Sequence, residues 1–151
     1  MATKFGTVDA SPTKAFFVEM LTRDITLEDA ILDLLDNCLD GLLRSSTKKS
    51  LKIKNPYKGF KAEINFDKDS FSIDDNCGGI PWSLHEYAFR MGRPRTRSAD
   101  GLPTVGAYGI GMKRAIFKIG KSSLIQTKHK DEIYDVEIST KWIEDETWNL
   151  E

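Results

Sequence analysis

Residues 28–41 read EDAILDLLDNCLDG and give the strongest single indication of function in the chain. Asp33, Asn37 and Asp40 follow the spacing i, i+4, i+7, which places them on one face of a helix. The opposite face is apolar and is formed by Ile31, Leu34, Leu35, Cys38 and Leu42. No lysine or arginine interrupts this run. The polar face therefore concentrates acceptors and an amide where a hard cation and a water can be held.

The composition is that of a globular domain with a core of its own. The chain has 151 residues, of which 40% are hydrophobic and 30% charged, and this predicts one domain. A formal net charge of -1 gives no indication of nucleic-acid binding. There is no apolar run of membrane-spanning length and no apolar signal-peptide core, so we expect a cytoplasmic protein without membrane contact. Cys38 and Cys77 suffice for neither a disulfide framework nor a zinc site.

The element order predicts an α+β two-layer sandwich, with helices on one face of a mainly antiparallel sheet. Four helices are predicted, over residues 11–20, 26–44, 83–91 and 112–119. Their beginnings are marked by Ser11-Pro12, by the capping boxes Thr26 to Asp29 and Ser83 to Glu86, and by a glycine turn. Two antiparallel strand pairs are predicted, over residues 60–66 with 71–75 and over 122–127 with 133–138. The tail from Lys141 has no assignment.

A glycine-rich turn precedes the last predicted helix. Gly106, Gly109 and Gly111 allow the backbone to approach a ligand, and the helix start offers free N–H groups and a positive dipole end. Together these features form a phosphate cradle. Neither standard phosphate motif fits, because Met112 replaces the Walker lysine and the order Gly-x-x-Gly-x-Gly differs from the dinucleotide fingerprint. A flexible loop before a core helix is an equal alternative on glycine spacing alone.

The segment Asp74-Asp-Asn-Cys-Gly-Gly-Ile-Pro81 ends a predicted strand. A carboxylate at a strand end, followed by glycines, can accept a hydrogen bond from an amino group in a pocket, and the exocyclic amine of adenine is a natural partner. Taken alone, a turn without function is favoured over this interpretation by about two to one.

The three segments together, in this order and spacing, resemble the GHKL ATPase superfamily, which includes gyrase B, MutL, the large heat-shock chaperones, histidine kinases and the MORC proteins. The resemblance covers about residues 12–139. The sequences of residues 35–40 and 73–81 are most similar to the MORC-type and stand-alone bacterial members. The resemblance implies a Bergerat ATP-binding fold with ATP or ADP and Mg²⁺ as ligands.

The resemblance also implies roles for individual positions. Asn37 matches the amide that holds Mg²⁺ against the phosphates, and Asp75 matches the carboxylate that binds adenine, with Gly79 and Ile80 beside the base. The phosphate turn is matched by Gly106, Gly109, Ile110, Gly111, Met112 and Lys113. Residues 92–105 resemble the ATP lid, which closes over nucleotide. Arg93, Arg95 and Arg97 are candidate phosphate contacts within it, although a solvated basic loop is the favoured interpretation.

Three departures from the family pattern bear on activity. Asp33 occupies the position of the catalytic glutamate that polarises the attacking water, and it is one methylene shorter. A misplacement of ~1 Å can cost about a hundredfold in rate, so we expect ATP binding with slow hydrolysis. Cys77 replaces the first glycine of the adenine motif. No Gly-Thr pair follows Ile138, and Thr127 and Thr140 are poor substitutes because neither follows glycine. The missing pair is explained equally by a chain that is a fragment of a longer protein and by one that is an unusually short member of the family.

The leading hypothesis is an ATP-binding domain whose lid closes over nucleotide and signals to a second copy or a downstream domain. The alternative is a nucleotide-gated interaction module without significant turnover, which the short side chain of Asp33 favours. A histidine kinase needs a phospho-acceptor histidine on a dimerisation helix that precedes the nucleotide-binding helix. His85 and His129 both come after the predicted helix 26–44 begins, so this class fits less well. A structural domain with a metal-binding acidic helix leaves the other two motifs unexplained.

Overall fold

The computed structural model describes residues 6–46, 52–92 and 109–150. Within those residues the chain forms five α-helices and four strands. The helices are α1 (Lys14–Thr22), α2 (Leu27–Ser45), α3 (His85–Phe89), α4 (Gly111–Ile119) and α5 (Thr140–Glu144), and the strands are β1 (Ala62–Phe66), β2 (Phe71–Asp75), β3 (Ser123–His129) and β4 (Glu132–Ile138). This mixture of helices and antiparallel strands confirms the predicted α+β class.

The four strands pair as two antiparallel hairpins. β1 pairs with β2 in a register that sets Ala62 opposite Asp75, and β3 pairs with β4 so that Ser123 lies opposite Ile138. Each hairpin forms its own two-stranded sheet in the described part of the chain. The two strand pairs predicted from the alternation of apolar residues are therefore present, with ends that differ by one or two residues.

Helix α2 begins at the capping box that the sequence predicts. The hydroxyl of Thr26 accepts a hydrogen bond from the backbone N–H of Asp29 at 3.1 Å, and the carboxylate of Asp29 accepts one from the N–H of Thr26 at 3.2 Å. These reciprocal bonds satisfy two N–H groups that a helix start leaves without intrahelical partners. The helix continues to Ser45, one residue beyond the predicted end.

Two other predicted helix starts are wrong. α1 begins at Lys14, where Thr13 rather than Ser11 is the N-cap and accepts a hydrogen bond from the N–H of Phe16. The Ser83 to Glu86 capping box does not form, because Pro81 begins a 3₁₀ turn over Trp82–Leu84 and α3 starts only at His85. α3 also ends at Phe89, two residues before the predicted Met91.

The tail that the sequence left unassigned contains helix α5, which packs on α1. Trp142 of α5 is buried, and the side chain of Lys14 donates a hydrogen bond to its carbonyl oxygen. The Lys14 ammonium also lies 4.2 Å from the centroid of the Trp142 ring, a cation–π contact. Phe117 of α4 stacks on the same ring. An aromatic centre therefore joins α1, α4 and α5.

The core lies along helix α2 in two separate clusters. Ala30 of α2 is fully buried with Ala115 of α4, and Leu34 and Ile119 pack against them. About two to three turns further along α2, Cys38 and Leu42 are buried with Cys77, which follows β2. α2 is thus held by α4 along its first half and by the turn after β2 along its second half.

Candidate functional site

The turn after β2 is closed around the carboxylate of Asp75. Its Oδ1 atom accepts a hydrogen bond from the backbone N–H of Cys77 at 2.7 Å, and its Oδ2 atom accepts one from the Cys38 thiol at 3.5 Å. Burial, reinforced by the charge of Asp75, raises the pKa of Cys38 to about 12. Cys38 therefore stays a thiol and a donor, and Cys77 contributes to the turn through its backbone. Asp75 itself remains exposed.

The glycines of this turn allow close packing against two neighbours. Gly78 has a φ of +112°, and a Cβ atom there would lie 2.0 Å from the Ser45 hydroxyl of α2. Gly79 has a φ of +64°, and its Cβ would lie 2.2 Å from the carbonyl oxygen of Lys128 on β3. Gly79 therefore requires glycine for two independent reasons, backbone conformation and lack of space, whereas at Gly78 the backbone conformation is the firm reason because the serine hydroxyl can rotate away.

Strand β3 contacts the other side of the same turn. The hydroxyl of Thr127 is buried and accepts a hydrogen bond from the backbone N–H of Ile80 at 2.8 Å. The Nδ1 atom of His129 lies 2.7 Å from the carbonyl oxygen of Gly78. Sequence reasoning set Thr127 aside because no glycine precedes it. The available signal was the alternation of β3, which places Thr127 on the same inward face as Ile125.

The start of α4 lies against Asp33. Gly109 has a φ of +66°, and Ile110 is the N-cap without a side-chain hydrogen bond. A Cβ atom at Gly111 would lie 3.3 Å from the Oδ1 atom of Asp33, so this glycine and the predicted catalytic carboxylate are direct neighbours. The first turn of α4 contains no acidic residue.

Asp33 is paired with Arg114, which lies in the first turn of α4. The Nε atom of Arg114 donates to Oδ2 of Asp33 at 2.5 Å, and its Nη2 atom donates to Oδ1 at 3.0 Å. The hydrogen bonds to Asp33 raise the pKa of Arg114. Asn37 lies one turn further along α2, and its Nδ2 atom donates to the Asp33 carbonyl at 2.7 Å. Its amide oxygen is then the atom that can accept from water or coordinate a cation.

The polar face of α2 that carries Asp33, Asn37 and Asp40 is not uniformly exposed to solvent. Asp40 is buried, whereas Asp33 and Asn37 are half-buried. Burial, together with the charges of Asp33 and Asp40, raises the pKa of Asp36. In the described part of the chain no group of three or more histidine, cysteine or acidic side chains is arranged to hold a metal ion. The protein oxygen predicted to face a cation is therefore the single amide of Asn37.

The remaining predicted site residues are distributed as follows. Lys113 is buried, and its Nζ atom donates to the carbonyl oxygen of Ala88 in α3 at 2.7 Å. Met112 is half-buried in the first turn of α4. Gly92, the first residue of the predicted lid, has a φ of +87°. Gly106 and the lid residues 93–105, with Arg93, Arg95 and Arg97, lie outside the described residues.

Helix α2 therefore contacts both turns that the sequence singled out. Asp33 lies beside Gly111 at one end, and Cys38 is hydrogen-bonded to Asp75 at the other. Asn37 stands between them on the same helix.

A model of the family described as histidine kinase-, DNA gyrase B-, and HSP90-like ATPase matches residues 25–151. The chain belongs to this family, and the GHKL resemblance is confirmed.

The family match does not distinguish among subfamilies, so the closer likeness to MORC-type and stand-alone bacterial members stays a prediction. The chain matched no curated protein and no solved structure. None of the helices in the ranges described above has both the length and the apolar character that crossing a membrane requires.

Proposed function

We propose that this chain is a single ATP-binding domain that holds Mg-ATP between α2 and the start of α4 and hydrolyses it slowly. The observation that supports this most directly is the double contact of α2. One helix packs against the Asp75 turn, and its Asp33 lies beside Gly111 at the start of α4. These are the two places where the family resemblance implies the adenine and the phosphates.

The residues at each end fit the chemistry of the ligand. Asp75 is exposed, and a carboxylate that already accepts two hydrogen bonds keeps further lone pairs for the adenine amine. The start of α4 has no capping side chain and no acidic residue, so its N–H groups and its dipole favour an anion. The amide oxygen of Asn37 suits Mg²⁺, which prefers oxygen ligands and keeps several waters.

Hydrolysis requires a water that attacks the γ-phosphorus while its proton passes to a base. The bond from that phosphorus to the bridging oxygen breaks, and ADP and phosphate leave. We assign Asp33 the role of orienting this water, and Mg²⁺ would supply charge neutralisation at the phosphates. Asp33 is short, and its two oxygens are engaged by Arg114. Both facts favour slow turnover.

The proposed switch is lid closure. Residues 92–105 would close over bound nucleotide and present a changed surface to a second copy of the chain or to a downstream domain. The support for this step is the family membership together with the position of Gly92 after α3, where a positive φ redirects the chain.

Asp75→Asn tests the assignment of the adenine end, and Asp74→Asn is its matched control. Both positions lie on β2 and are exposed, but neighbouring strand residues point to opposite faces. Asn places an amide where the adenine amine needs an acceptor, so we expect ATP affinity to fall about ten- to a hundredfold. The Asp74 variant should bind as the native chain does. Calorimetric titration with ATP and Mg²⁺ measures both, and a native chain that binds no ATP overturns the proposal.

A second candidate is a nucleotide-gated interaction module without useful turnover. The pairing of Asp33 with Arg114 favours it, because both carboxylate oxygens already accept hydrogen bonds from the guanidinium. Phosphate release by the native chain and by Asp33→Glu distinguishes the two candidates. A rise with glutamate supports the module, whereas a fall supports Asp33 as a working base.

A further inference from the structure

The ion pair between Asp33 and Arg114 joins the two helices of the candidate site. It is bidentate, with separate N–H donors on each carboxylate oxygen at 2.5 and 3.0 Å. The Asp33 side chain is 15% exposed and that of Arg114 32% exposed, so the pair is partly shielded from water. Two parallel hydrogen bonds fix the plane of the carboxylate as well as its position.

This arrangement opposes the role that the site requires of Asp33. A residue that orients water must direct a lone pair at that water. Here the guanidinium takes one lone pair on each oxygen and fixes the directions of the others, and Gly111 lies against the same carboxylate. The carboxylate is thus held against the start of α4.

Arg114 is also placed to meet an anion at that helix start. It lies in the first turn of α4, where its backbone N–H donates to the carbonyl of Ile110. The planar fork of an arginine matches phosphate as well as carboxylate. Lys113, its neighbour in the same turn, directs its ammonium to the Ala88 carbonyl. Arg114 is thus already engaged with an anion at the site.

We propose that Arg114 exchanges between two anionic partners, Asp33 when the site is empty and the γ-phosphate when ATP is bound. The exchange releases Asp33 to orient water only when a triphosphate is present, because ADP has no γ-phosphate to draw Arg114 away. Arg114 is therefore a positioning residue that links nucleotide state to the availability of Asp33. This inference rests on the proposed function and adds a regulatory step to it.

The exchange predicts that Asp33 weakens ATP binding by competing for Arg114. Removing the charge with Asp33→Asn should tighten binding of the β,γ-imido analogue of ATP about tenfold and leave ADP affinity within about twofold. Direct repulsion between the Asp33 charge and the γ-phosphate would give the same selectivity, so Arg114 must be varied as well.

A double-mutant cycle tests the exchange with four chains: native, Asp33→Asn, Arg114→Gln and the double variant. Each is titrated with the imido analogue and with ADP in the presence of Mg²⁺. If Asp33 weakens binding by direct repulsion of the γ-phosphate, Asp33→Asn should tighten binding equally with or without Arg114. If Asp33 instead competes for Arg114, the tightening requires the arginine. We expect about tenfold tightening in the native background and less than about twofold in the Arg114→Gln background.

Equal tightening in both backgrounds overturns the exchange, and so does an Asp33→Asn variant that binds the imido analogue no better than the native chain. Thermal unfolding checks that each variant is folded. If Arg114→Gln does not fold, Arg114→Lys replaces it, because it keeps the charge without the bidentate fork, and the tightening should then fall at least threefold. A native chain that binds neither nucleotide overturns the proposed function itself, an outcome distinct from binding with equal tightening.

Discussion

Gly79→Ala should destabilise the chain through a conflict between two elements far apart in sequence. The added Cβ would lie 2.2 Å from the Lys128 carbonyl oxygen and 2.9 Å from the Thr127 hydroxyl, both on β3. The carbonyl belongs to a backbone that is paired with β4, so it cannot rotate away as a flexible side chain would. The turn and the strand must separate by about 1.2 Å to reach an ordinary contact of 3.4 Å.

The expected loss of stability has two parts. An alanine held at a φ of +64° costs about 1–2 kcal/mol for its left-handed backbone. The separation also stretches the hydrogen bond from the Ile80 N–H to Thr127, now 2.8 Å long. Leaving that N–H without its acceptor costs about 1–3 kcal/mol. We therefore expect Gly79→Ala to lower the free energy of unfolding by about 2–5 kcal/mol.

Gly59→Ala separates the two parts, because Gly59 has a φ of +94° and nothing within 4 Å of the position of its Cβ. Only the backbone cost of about 1–2 kcal/mol applies there. Urea unfolding of the native chain and both variants gives the comparison, and a change of 1 kcal/mol corresponds to about 2–4 °C in melting temperature for a chain of this size. Equal losses in the two variants would refute the close contact between the turn and β3.

Two further predictions concern the same turn. Thr127→Val removes the acceptor of the Ile80 N–H, so we expect it to cost about 1–3 kcal/mol and to speed hydrogen exchange of the Ile80 amide. Thr140→Val, at an exposed position, should change neither. Burial raises the pKa of the Cys38 thiol from 9.0 to about 12. Between these two values the folded chain keeps a proton that the unfolded chain loses. The free energy of unfolding should therefore fall as the pH rises from about 9 toward 12. Urea midpoints at about pH 8 and about pH 10.5 measure this fall, which should be smaller in Cys38→Ala; an identical fall in the variant would contradict the assignment to Cys38.

The sequence predicted best where both partners of an interaction lie within one segment. The reciprocal bonds of Thr26 and Asp29 are three residues apart, and both form as expected. The alternation of apolar residues likewise predicted both hairpins, since the two strands of each hairpin are close in sequence. Such local patterns depend little on the rest of the chain.

Prediction failed where a neighbouring residue changed the local context. Ser83 and Glu86 have the spacing of a capping box, but the Leu84 N–H bonds to the Pro81 carbonyl instead and a 3₁₀ turn forms first.

The pairing of Arg114 with Asp33 joins residues 81 positions apart, and no spacing rule contains it. Thr127 was set aside because no glycine precedes it, and its hydrogen bond to Ile80 spans 47 positions that no local pattern covers.

Small residues explain how one helix serves both ends of the candidate site. Ala30 allows α2 to approach Ala115 of α4, and both are fully buried. Gly41 does the same at the other end, where a Cβ would lie 3.1 Å from the Cys77 carbonyl oxygen. Eleven residues separate these two contacts, which is about 16 Å along a helix axis. Asp33 and Asn37 lie between them, so α2 holds these side chains in place relative to both turns.

Asp33 and Arg114 are best understood as one pair. The family resemblance implies a longer glutamate at position 33, and the aspartate present here meets a guanidinium that reaches toward it from α4. A glutamate introduced at this position extends the carboxylate by one methylene but leaves Arg114 as its nearest cation. The effect of Asp33→Glu on phosphate release therefore combines a change of reach with a change of pairing. Measuring the same substitution in the Arg114→Gln background separates these two contributions, because only the change of reach remains there.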